Sequence, residues 1–332
     1  RARLPASMKP ASEYLVAGVP VATADAWGEF ALSLRLAGVD FVFSGLSGAQ
    51  RDEVVARFGQ LVVPAANTPQ DQAGPGADFR PAAHSQFTPT PPVCWEYDLA
   101  LDFQPTRLDI AGPSFFARLD REVCRAEVRT CLEDRFFLAV FENVFRVVSI
   151  YALARRDTLV IHSAGVAQSQ QGYVLFGRSG AGKTTSCFLL TQRTPQPGSP
   201  AHAILSDELN AVDLRSTAPG VLLQPMPFAG DFGHDTLSSE AVPLRRIYAL
   251  VQAPEARVGP CGRAEALARV VAACPFVNVD PFESDSVFSR AKRLLAAVPL
   301  QKLHFHKDPS FWSVVEADVE SHAHACNLRP PP

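Results

Sequence analysis

The most apolar segment of the chain, residues 136–154, has a helical rather than a strand-like pattern. Its apolar side chains recur at spacings of three and four residues, at Phe137, Val140, Phe141, Val144, Phe145 and Val148. That spacing predicts an amphipathic helix over residues 133–151. The polar residues Glu142, Asn143 and Arg146 interrupt the segment, which excludes a simple membrane span.

Shorter apolar runs predict a mixture of strands and helices along the rest of the chain. Strands are predicted at residues 14–21, 40–43, 97–101, 115–119 and 123–128, and a short helix at residues 50–58. Residues 64–92 are rich in Pro, Ala, Gln, Thr and Gly but poor in large apolar residues, so we expect a loop or a disordered insertion there. From residue 158 the pattern alternates between strand, turn and helix, which is typical of α/β proteins.

The composition of the 332-residue chain is that of a soluble globular protein, with 47% hydrophobic and 20% charged residues and a formal net charge of −3. No overall basic excess indicates nucleic acid as a partner. The first ten residues lack the layout of a signal peptide, and the absence of an initial Met is what a fragment or a processed chain would show. Seven dispersed cysteines without a C-x-x-C pair are typical of core residues in a reducing compartment, which predicts a cytoplasmic location.

One stretch fits the phosphate-binding pattern G-x-x-x-x-G-K-[ST] without a mismatch. It comprises Gly177, Arg178, Ser179, Gly180, Ala181, Gly182, Lys183 and Thr184, and Thr185 follows it. Residues 172–176 before it are β-prone, and residues 185–192 after it begin a mostly buried helix. A strand, a glycine-rich turn and a helix N-terminus form an anion cradle, because the N–H groups and the helix dipole both favour negative charge. The alternative is a fortuitous glycine-rich turn, but this context favours binding of a nucleoside triphosphate or a related polyphosphate.

Each type of residue in the loop would contribute a different interaction with that ligand. The glycines let the backbone approach phosphate oxygens closely. Lys183, which we expect to face solvent, would reach the β- and γ-phosphates, and the Thr184 hydroxyl would lie on Mg²⁺.

An acidic pair, Asp207 and Glu208, follows the apolar run at residues 203–205. A P-loop enzyme uses an acidic residue at the end of an apolar strand to hold or orient its metal. Neighbouring side chains on an extended strand point to opposite faces, so both carboxylates can face the nucleotide only if the strand ends here. The alternative is an acidic turn after a buried strand.

His162 lies in an otherwise apolar, β-like run at residues 159–166. A single histidine in such a run is most often a core residue with satisfied hydrogen bonds. Its position, at the end of the strand that precedes the P-loop strand, favours the ligand crevice instead, because strand ends line that crevice in open α/β sheets. Both interpretations remain open from the sequence.

Three further stretches carry polar side chains that could act in a site. His304 with His306, and His322 with His324, are spaced as in a strand metal site, but no nearby cysteine or carboxylate cluster completes a tetrahedral set. Residues 231–235 form a polar, glycine-containing loop after the acidic pair, which could bring it near the substrate.

In this order, the motifs at residues 162–166, 173–185 and 205–208 resemble the HPr kinase/phosphorylase family. The chain is more closely similar to the HPr-kinase-like proteins that lack the regulatory N-terminal domain, and residues 303–312 resemble the end of such proteins. The likeness covers about residues 110–315; it is specific in the three motifs and diffuse elsewhere.

The resemblance implies a phosphoenolpyruvate-carboxykinase-like nucleotide-binding fold, ATP with Mg²⁺, and phosphoryl transfer to a serine hydroxyl. By position, Asp207 matches the proposed general base, Glu208 a metal ligand that is Asp in the HPr kinases, and His162 a conserved active-site histidine. The glycine-rich signature that follows the acidic pair in true HPr kinases, linked to phosphorolysis and hexamer assembly, is missing here. The resemblance is compatible with a homo-oligomer without specifying one.

We therefore expect an α/β chain in four segments: an N-terminal α+β extension (1–63), a Pro-rich loop or linker (64–93), an HPr-kinase-like P-loop domain (94–320) and a C-terminal tail (321–332). The leading hypothesis is an ATP-dependent kinase that uses Lys183, Thr184, Asp207, Glu208 and His162 to phosphorylate a hydroxyl, that of Ser in a peptide or small protein. The alternatives are a catalytically silent, nucleotide-responsive binding module and an NTPase without a phosphoryl acceptor. The presence of both carboxylates favours the enzyme.

Overall fold

The computed structural model describes residues 28–64, 74–82, 99–112, 115–131, 137–193, 201–215, 220–228, 230–233 and 240–327. Within these ranges the chain is mixed α/β, with two large mixed sheets and six α-helices, which confirms the predicted class at that level. It divides into two compact units. The first comprises Arg1–Arg155 with Asp280–Phe282, and the second comprises Arg156–Val279 with Glu283–Pro332. The strand predicted at residues 14–21 lies outside the described residues.

The described part of the first unit contains one sheet. Its strands are β1 (Phe30–Leu36), β2 (Val39–Leu46), β3 (Val62–Val63), β4 (Gly76–Ala82), β5 (Ala100–Phe103), β6 (Arg107–Gly112), β7 (Phe115–Asp120) and β8 (Arg125–Cys131). They lie in the order β3-β1-β2-β4-β8-β7-β6-β5. All neighbours are antiparallel except β4, which is parallel to both β2 and β8. The strands predicted at 40–43 and 115–119 are therefore confirmed.

Two helices of this unit confirm their sequence patterns. Helix α1 (Gly48–Phe58) begins with a capping box, in which the Ser47 side chain accepts from the Gln50 N–H and the Gln50 side chain accepts from the Ser47 N–H. Helix α2 (Phe137–Ala154) is buried along nearly its whole length. Aromatic rings cluster between the two helices and the sheet, at Phe41, Phe43, Phe58, Phe79, Phe137, Phe141 and Phe145.

Helix α2 is also long and apolar enough to cross a membrane, judged by length and composition only. In the structure 83% of that window is buried inside the protein. Since the core helix of a globular domain passes the same test, the helix is weak evidence for a membrane span.

The segment expected to be a Pro-rich loop contains a strand in the interior of the sheet. Strand β4 pairs with β2 on one side and with β8 on the other, and its Phe79 is 1% exposed. Gly76 approaches the Val42 carbonyl so closely that a Cβ would collide with it. Backbone pairing on two sides builds this strand, so a shortage of large apolar residues does not exclude it. The boundary predicted at residue 94 also differs from the two compact units, since the first unit continues to Arg155.

The described part of the second unit contains the other sheet. Its strands are β9 (Thr158–Gln168), β10 (Gln171–Phe176), β11 (Ala203–Ser206), β12 (Leu209–Asp213), β13 (Leu222–Pro225), β14 (Val242–Gln252), β15 (Arg257–Pro260) and β16 (Leu300–Phe305). Its helices are α3 (Lys183–Gln192), α4 (Arg263–Ala272), α5 (Ser284–Ala297) and α6 (Phe311–Asn327). The strand, turn and helix predicted around the phosphate-binding pattern are present as β10, residues 177–182 and α3.

The carboxyl ends of three parallel strands, together with parts of their antiparallel neighbours, lie at one edge of this sheet. Strands β10, β14 and β16 are mutually parallel, so their carboxyl ends meet at the same edge. Strand β9 is antiparallel to β10, with Ser163 opposite Phe176, and β11 is antiparallel to β9, with Ser206 opposite Gly165. The chain around His162 and the chain after Ser206 therefore lie at the edge where β10 ends.

Helix α6 anchors the end of the second unit. Phe311 and Trp312 are buried at its start, and the Trp312 indole N–H donates to the Gln168 side chain at 2.9 Å. Helix α6 continues to Asn327, so it includes the first residues of the segment predicted as a tail from residue 321.

Candidate functional site

The glycine-rich loop at residues 177–182 connects β10 to α3 at this edge. Gly180 and Gly182 have φ of 76° and 110°, values that residues with a side chain rarely adopt. A Cβ on Gly182 would also lie 2.6 Å from the Phe305 ring at the end of β16. The Gln252 side-chain amide at the end of β14 donates to the Gly180 carbonyl at 2.7 Å. The end of β14, the parallel neighbour of β10, and the end of β16, the next strand beyond it, thus hold the loop in shape.

Lys183, the first residue of α3, is inside the loop rather than facing solvent. It is 8% exposed, and its Nζ donates to the Gly177 carbonyl at 3.4 Å. Burial lowers the pKa of Lys183, while the negative charges of Glu208 and then Asp207 oppose that shift. The expectation of a solvent-facing lysine is therefore wrong, because the loop wraps around the side chain that it presents.

The acidic pair sits in a tight turn. Strand β11 ends at Ser206, whose hydroxyl donates to the Phe228 carbonyl and accepts from the N–H groups of Glu208 and Leu209. The chain then reverses into β12. The strand therefore ends at the residue before Asp207, which is the condition under which both carboxylates can lie at one site.

Asp207 is buried at 1% exposure and its carboxylate accepts three hydrogen bonds. Oδ2 accepts from the Thr184 hydroxyl at 3.1 Å and from the Phe232 N–H at 3.1 Å, and Oδ1 accepts from the Gly230 N–H at 2.8 Å. The carboxylate therefore joins the start of α3 to the loop at residues 230–233.

Glu208 faces His162 instead. The His162 Nε2 and Glu208 Oε2 atoms are 3.5 Å apart, and the two side chains are 34% and 16% exposed. The backbone fixes both residues: the His162 N–H donates to the Ala273 carbonyl at 2.8 Å, and the Ser163 N–H donates to the Glu208 carbonyl at 3.0 Å. A side chain one third exposed beside a carboxylate does not fit the core interpretation of His162.

The remaining loop residues line the same edge. Arg178, Ser179 and Gly180 are exposed, while Thr184 and Thr185 are half-buried. The structure thus places the loop, Lys183, Thr184, Asp207, Glu208 and His162 at one edge of the sheet.

Asn210 is a buried polar residue of this region that sequence reasoning missed. Its amide donates to the Ser163 carbonyl at 2.8 Å, to the Ser163 hydroxyl at 3.1 Å and to the Ser206 carbonyl at 3.3 Å. Its Oδ1 has no hydrogen-bond partner among the described residues, and it fills the space that a Cβ on Gly165 would need. Asn210 therefore joins β9, the strand that contains His162, to the end of β11, the strand before Asp207. An asparagine within an apolar strand was the available signal.

The loop predicted at residues 231–235 contributes through its backbone. The Gly230 and Phe232 N–H groups bind Asp207, and the Phe232 ring packs against Phe188 of α3 with ring centroids 5.0 Å apart. His234 and Asp235 lie outside the described residues.

The pair His304 and His306 does not belong to a metal-binding group among the described side chains. Within the described ranges, no group of three or more His, Cys, Asp or Glu side chains is placed to hold a metal ion. His304 lies on β16 opposite Arg257, and burial together with the charges of Arg257 and Lys302 lowers the pKa of His304. The side chains of His322 and His324 lie outside the described residues.

No model of a protein family matches this chain, and no curated protein matches it. The interpretation of the site therefore rests on its motifs and its geometry.

Proposed function

We propose that the second unit is a P-loop, phosphoenolpyruvate-carboxykinase-like nucleotide-binding domain that transfers the γ-phosphoryl group of ATP to a hydroxyl. The observation that supports this most strongly is the Thr184–Asp207 hydrogen bond, 3.1 Å long. It joins the last residue of the phosphate-binding pattern to the acidic residue that follows a separate strand, β11, and P-loop NTPases use this pairing beside their metal.

The loop residues would bind the polyphosphate by charge and by backbone donors. The N-terminus of α3 and the loop N–H groups favour an anion, and the fixed positions of Gly180 and Gly182 remove the need to reorganise the loop on binding. Lys183, held inside the loop with its pKa lowered by burial, would exchange its contact with the Gly177 carbonyl for a phosphate oxygen.

The residues present also fit Mg²⁺. A threonine hydroxyl and carboxylate oxygens are the hard oxygen donors that Mg²⁺ prefers, and Thr184 lies beside such a carboxylate. When bound, Mg²⁺ would neutralise charge on the β- and γ-phosphates during transfer. Thr184 with a carboxylate of the acidic pair would hold it.

An acceptor hydroxyl would approach from the side of the acidic pair. Phosphoryl transfer needs little covalent chemistry from the protein, so positioning and charge stabilisation dominate, with one carboxylate taking the hydroxyl proton. The resemblance in the three motifs favours a Ser hydroxyl of a peptide or small protein.

The first prediction tests nucleotide binding at Lys183. Replacing Lys183 with Met, which keeps the length of the side chain and removes its charge, should weaken binding of an Mg²⁺–ATP analogue by about 1.5–3 kcal/mol, or roughly one to two orders of magnitude. Isothermal titration calorimetry measures this loss. Lys292→Met, on an exposed face of α5, is the matched control and should bind like the wild type.

Equal affinities for the wild type and Lys183→Met would contradict the proposal. Incubating the wild type with labelled ATP and a lysate of its native host then separates the function classes. A labelled Ser acceptor supports the kinase, phosphate release alone indicates an NTPase, and binding without turnover indicates a nucleotide-responsive module.

A further inference from the structure

The two adjacent carboxylates occupy different environments. Asp207 is 1% exposed and has a donor on each oxygen, whereas the Glu208 side chain is 16% exposed and faces an imidazole that is itself one third exposed. Two neighbouring acids in such unlike surroundings are suited to different tasks.

We propose that Asp207 is the carboxylate that organises Thr184 on the magnesium side, and that Glu208, positioned by His162, accepts the proton of the acceptor hydroxyl. This inference rests on the proposed function. It reverses the roles that the family resemblance implies, in which Asp207 is the base and Glu208 the metal ligand.

The surroundings of Asp207 disfavour a base at that position. All three of its partners donate hydrogen, two of them backbone N–H groups that cannot turn away. A backbone N–H group holds each carboxylate oxygen, so the orientation of the Asp207 carboxylate is fixed. The Gly230 backbone covers the carboxylate on one side, since a Cβ there would lie 2.8 Å from Asp207 Oδ2.

The surroundings of Glu208 favour the base. Its carboxylate is partly exposed at the edge where the loop lies, and it is one of the two carboxylates whose negative charge acts on Lys183. Of the two carboxylates, Glu208 is therefore the more accessible to an acceptor hydroxyl. His162, whose backbone is fixed to Ala273, holds the Glu208 side chain in place as a positioning residue.

The transfer step balances with this assignment. The acceptor hydroxyl oxygen forms a bond to the γ-phosphorus, the bond from that phosphorus to the β–γ bridging oxygen breaks, and ADP leaves with the electron pair. The hydroxyl proton passes to the Glu208 carboxylate.

The second prediction compares Asp207→Asn with Glu208→Gln by calorimetry and by turnover. The Mg²⁺-dependent part of the affinity for a non-hydrolysable ATP analogue should fall about 10–100-fold in Asp207→Asn, because Thr184 loses the carboxylate that orients it. Glu208→Gln should keep that affinity within twofold while its kcat for ATP hydrolysis, with water as the acceptor, falls by a factor of about 10² to 10⁴.

His162 is tested by KM and kcat together. His162→Ala should lower kcat at an unchanged KM for ATP, and His162→Gln, which keeps a donor toward Glu208, should restore part of kcat. If His162 served stability alone, both variants would have a lower melting temperature, and His162→Gln would not recover kcat relative to His162→Ala.

A double variant decides the question even if Asp207→Asn does not fold. The change Glu208→Gln should leave the Mg²⁺-dependent affinity the same whether it is made in the wild-type chain or together with Thr184→Ala. The effects of two sites that do not interact are independent. A loss of that affinity in Glu208→Gln equal to or greater than the loss in Asp207→Asn or Thr184→Ala would overturn the assignment. A wild type that does not bind the Mg²⁺–nucleotide at all would instead overturn the proposed function.

Discussion

Asn210 shows how one side chain can determine what its neighbours may be. Its amide binds the chain on both sides of the site, and its Oδ1 occupies the space next to the Gly165 Cα. Residue 165 is therefore a glycine because the Asn210 side chain approaches its Cα too closely for a Cβ to fit. A buried amide with one unpaired oxygen is costly, which indicates that the three bonds made by its nitrogen matter to the local geometry.

The third prediction concerns this close approach. Gly165→Ala should destabilise the protein by about 1–3 kcal/mol, because the new methyl group meets a buried amide that has no free direction to move. Gly259→Ala is the matched control in another strand, where the nearest atoms to a Cβ lie at 3.6 Å and the change should cost less than about 0.5 kcal/mol. Thermal unfolding measures both, and equal melting temperatures would contradict the prediction.

At the scale of elements, the local sequence was enough to predict a helix, strand or loop wherever that element depends on its own residues. The glycine-rich loop between β10 and α3, the helix α2 and the strand β2 each follow from a motif or a periodicity that is complete within about twenty residues. His162 was expected at the end of a strand, but it lies inside β9 opposite Leu209, so its approach to the acidic pair comes from the pairing of β9 with β12.

Elements that depend on distant partners could not be predicted in this way. Strand β4 exists because β2 and β8 pair with it from both sides, and neither partner is visible in its own composition. The hydrogen bonds on Asp207 come from Gly230 and Phe232, more than twenty residues along the chain, so the different tasks of the two carboxylates had no local signal. Resemblance supplied residue roles there, and geometry argues for the opposite order.

Helix α6 is held to the second unit by a chain of polar contacts. Trp312 donates to Gln168, and the Gln168 amide and Arg193 both donate to Glu316. The His202 ring meets the Trp312 ring edge to face, with centroids 5.1 Å apart. Its Nε2 has no hydrogen-bond partner within the described residues, so the ring is held by packing.

The fourth prediction is a pH dependence that arises at His202. Burial, with the charge of Arg193 as the second cause, lowers the pKa of His202 from its usual 6.5. As the pH falls below about 6.5, the unfolded chain binds a proton that the folded protein does not, so stability decreases with a slope of at most about 1.4 kcal/mol per pH unit. Above that pH the contribution of His202 is constant.

His202→Phe keeps the aromatic contact with Trp312 and removes the titration. The difference in melting temperature between the wild type and this variant should therefore change between pH 7 and pH 5, in favour of the variant at the lower pH. Parallel curves across that range would show that His202 does not titrate differently on folding.

At the scale of the whole molecule, the chain does not pass through its two units once each. Residues Asp280–Phe282 belong to the first unit although the residues on either side of them belong to the second. The Asp280 carboxylate is fully buried and accepts from the Arg121 guanidinium and from the Tyr151 hydroxyl, both at 2.7 Å. Asp280 and Arg121 lie far apart in sequence. For this reason the predicted domain boundaries did not assign residues 280–282 to the same unit as Arg121.

The fifth prediction concerns this buried ion pair. Asp280→Asn should destabilise the protein by about 3–5 kcal/mol, because the Arg121 charge, 3% exposed, loses its buried carboxylate. Asp52→Asn removes a carboxylate of the same unit from an exposed pair with Arg51 and should cost less than about 1 kcal/mol. Urea unfolding followed by circular dichroism measures both changes, and similar midpoints would contradict the prediction.

The packing of Phe305 against Gly182 also has a consequence for the order in which the protein becomes competent during synthesis. The ribosome releases the phosphate-binding loop more than a hundred residues before it releases Phe305, whose ring supports the loop from β16. A nascent chain would therefore carry the complete motif while still unable to hold it in shape. The proposed nucleotide binding would begin only when the last strand pairs, so retention of growing chains on immobilised ATP would report when the second unit finishes folding.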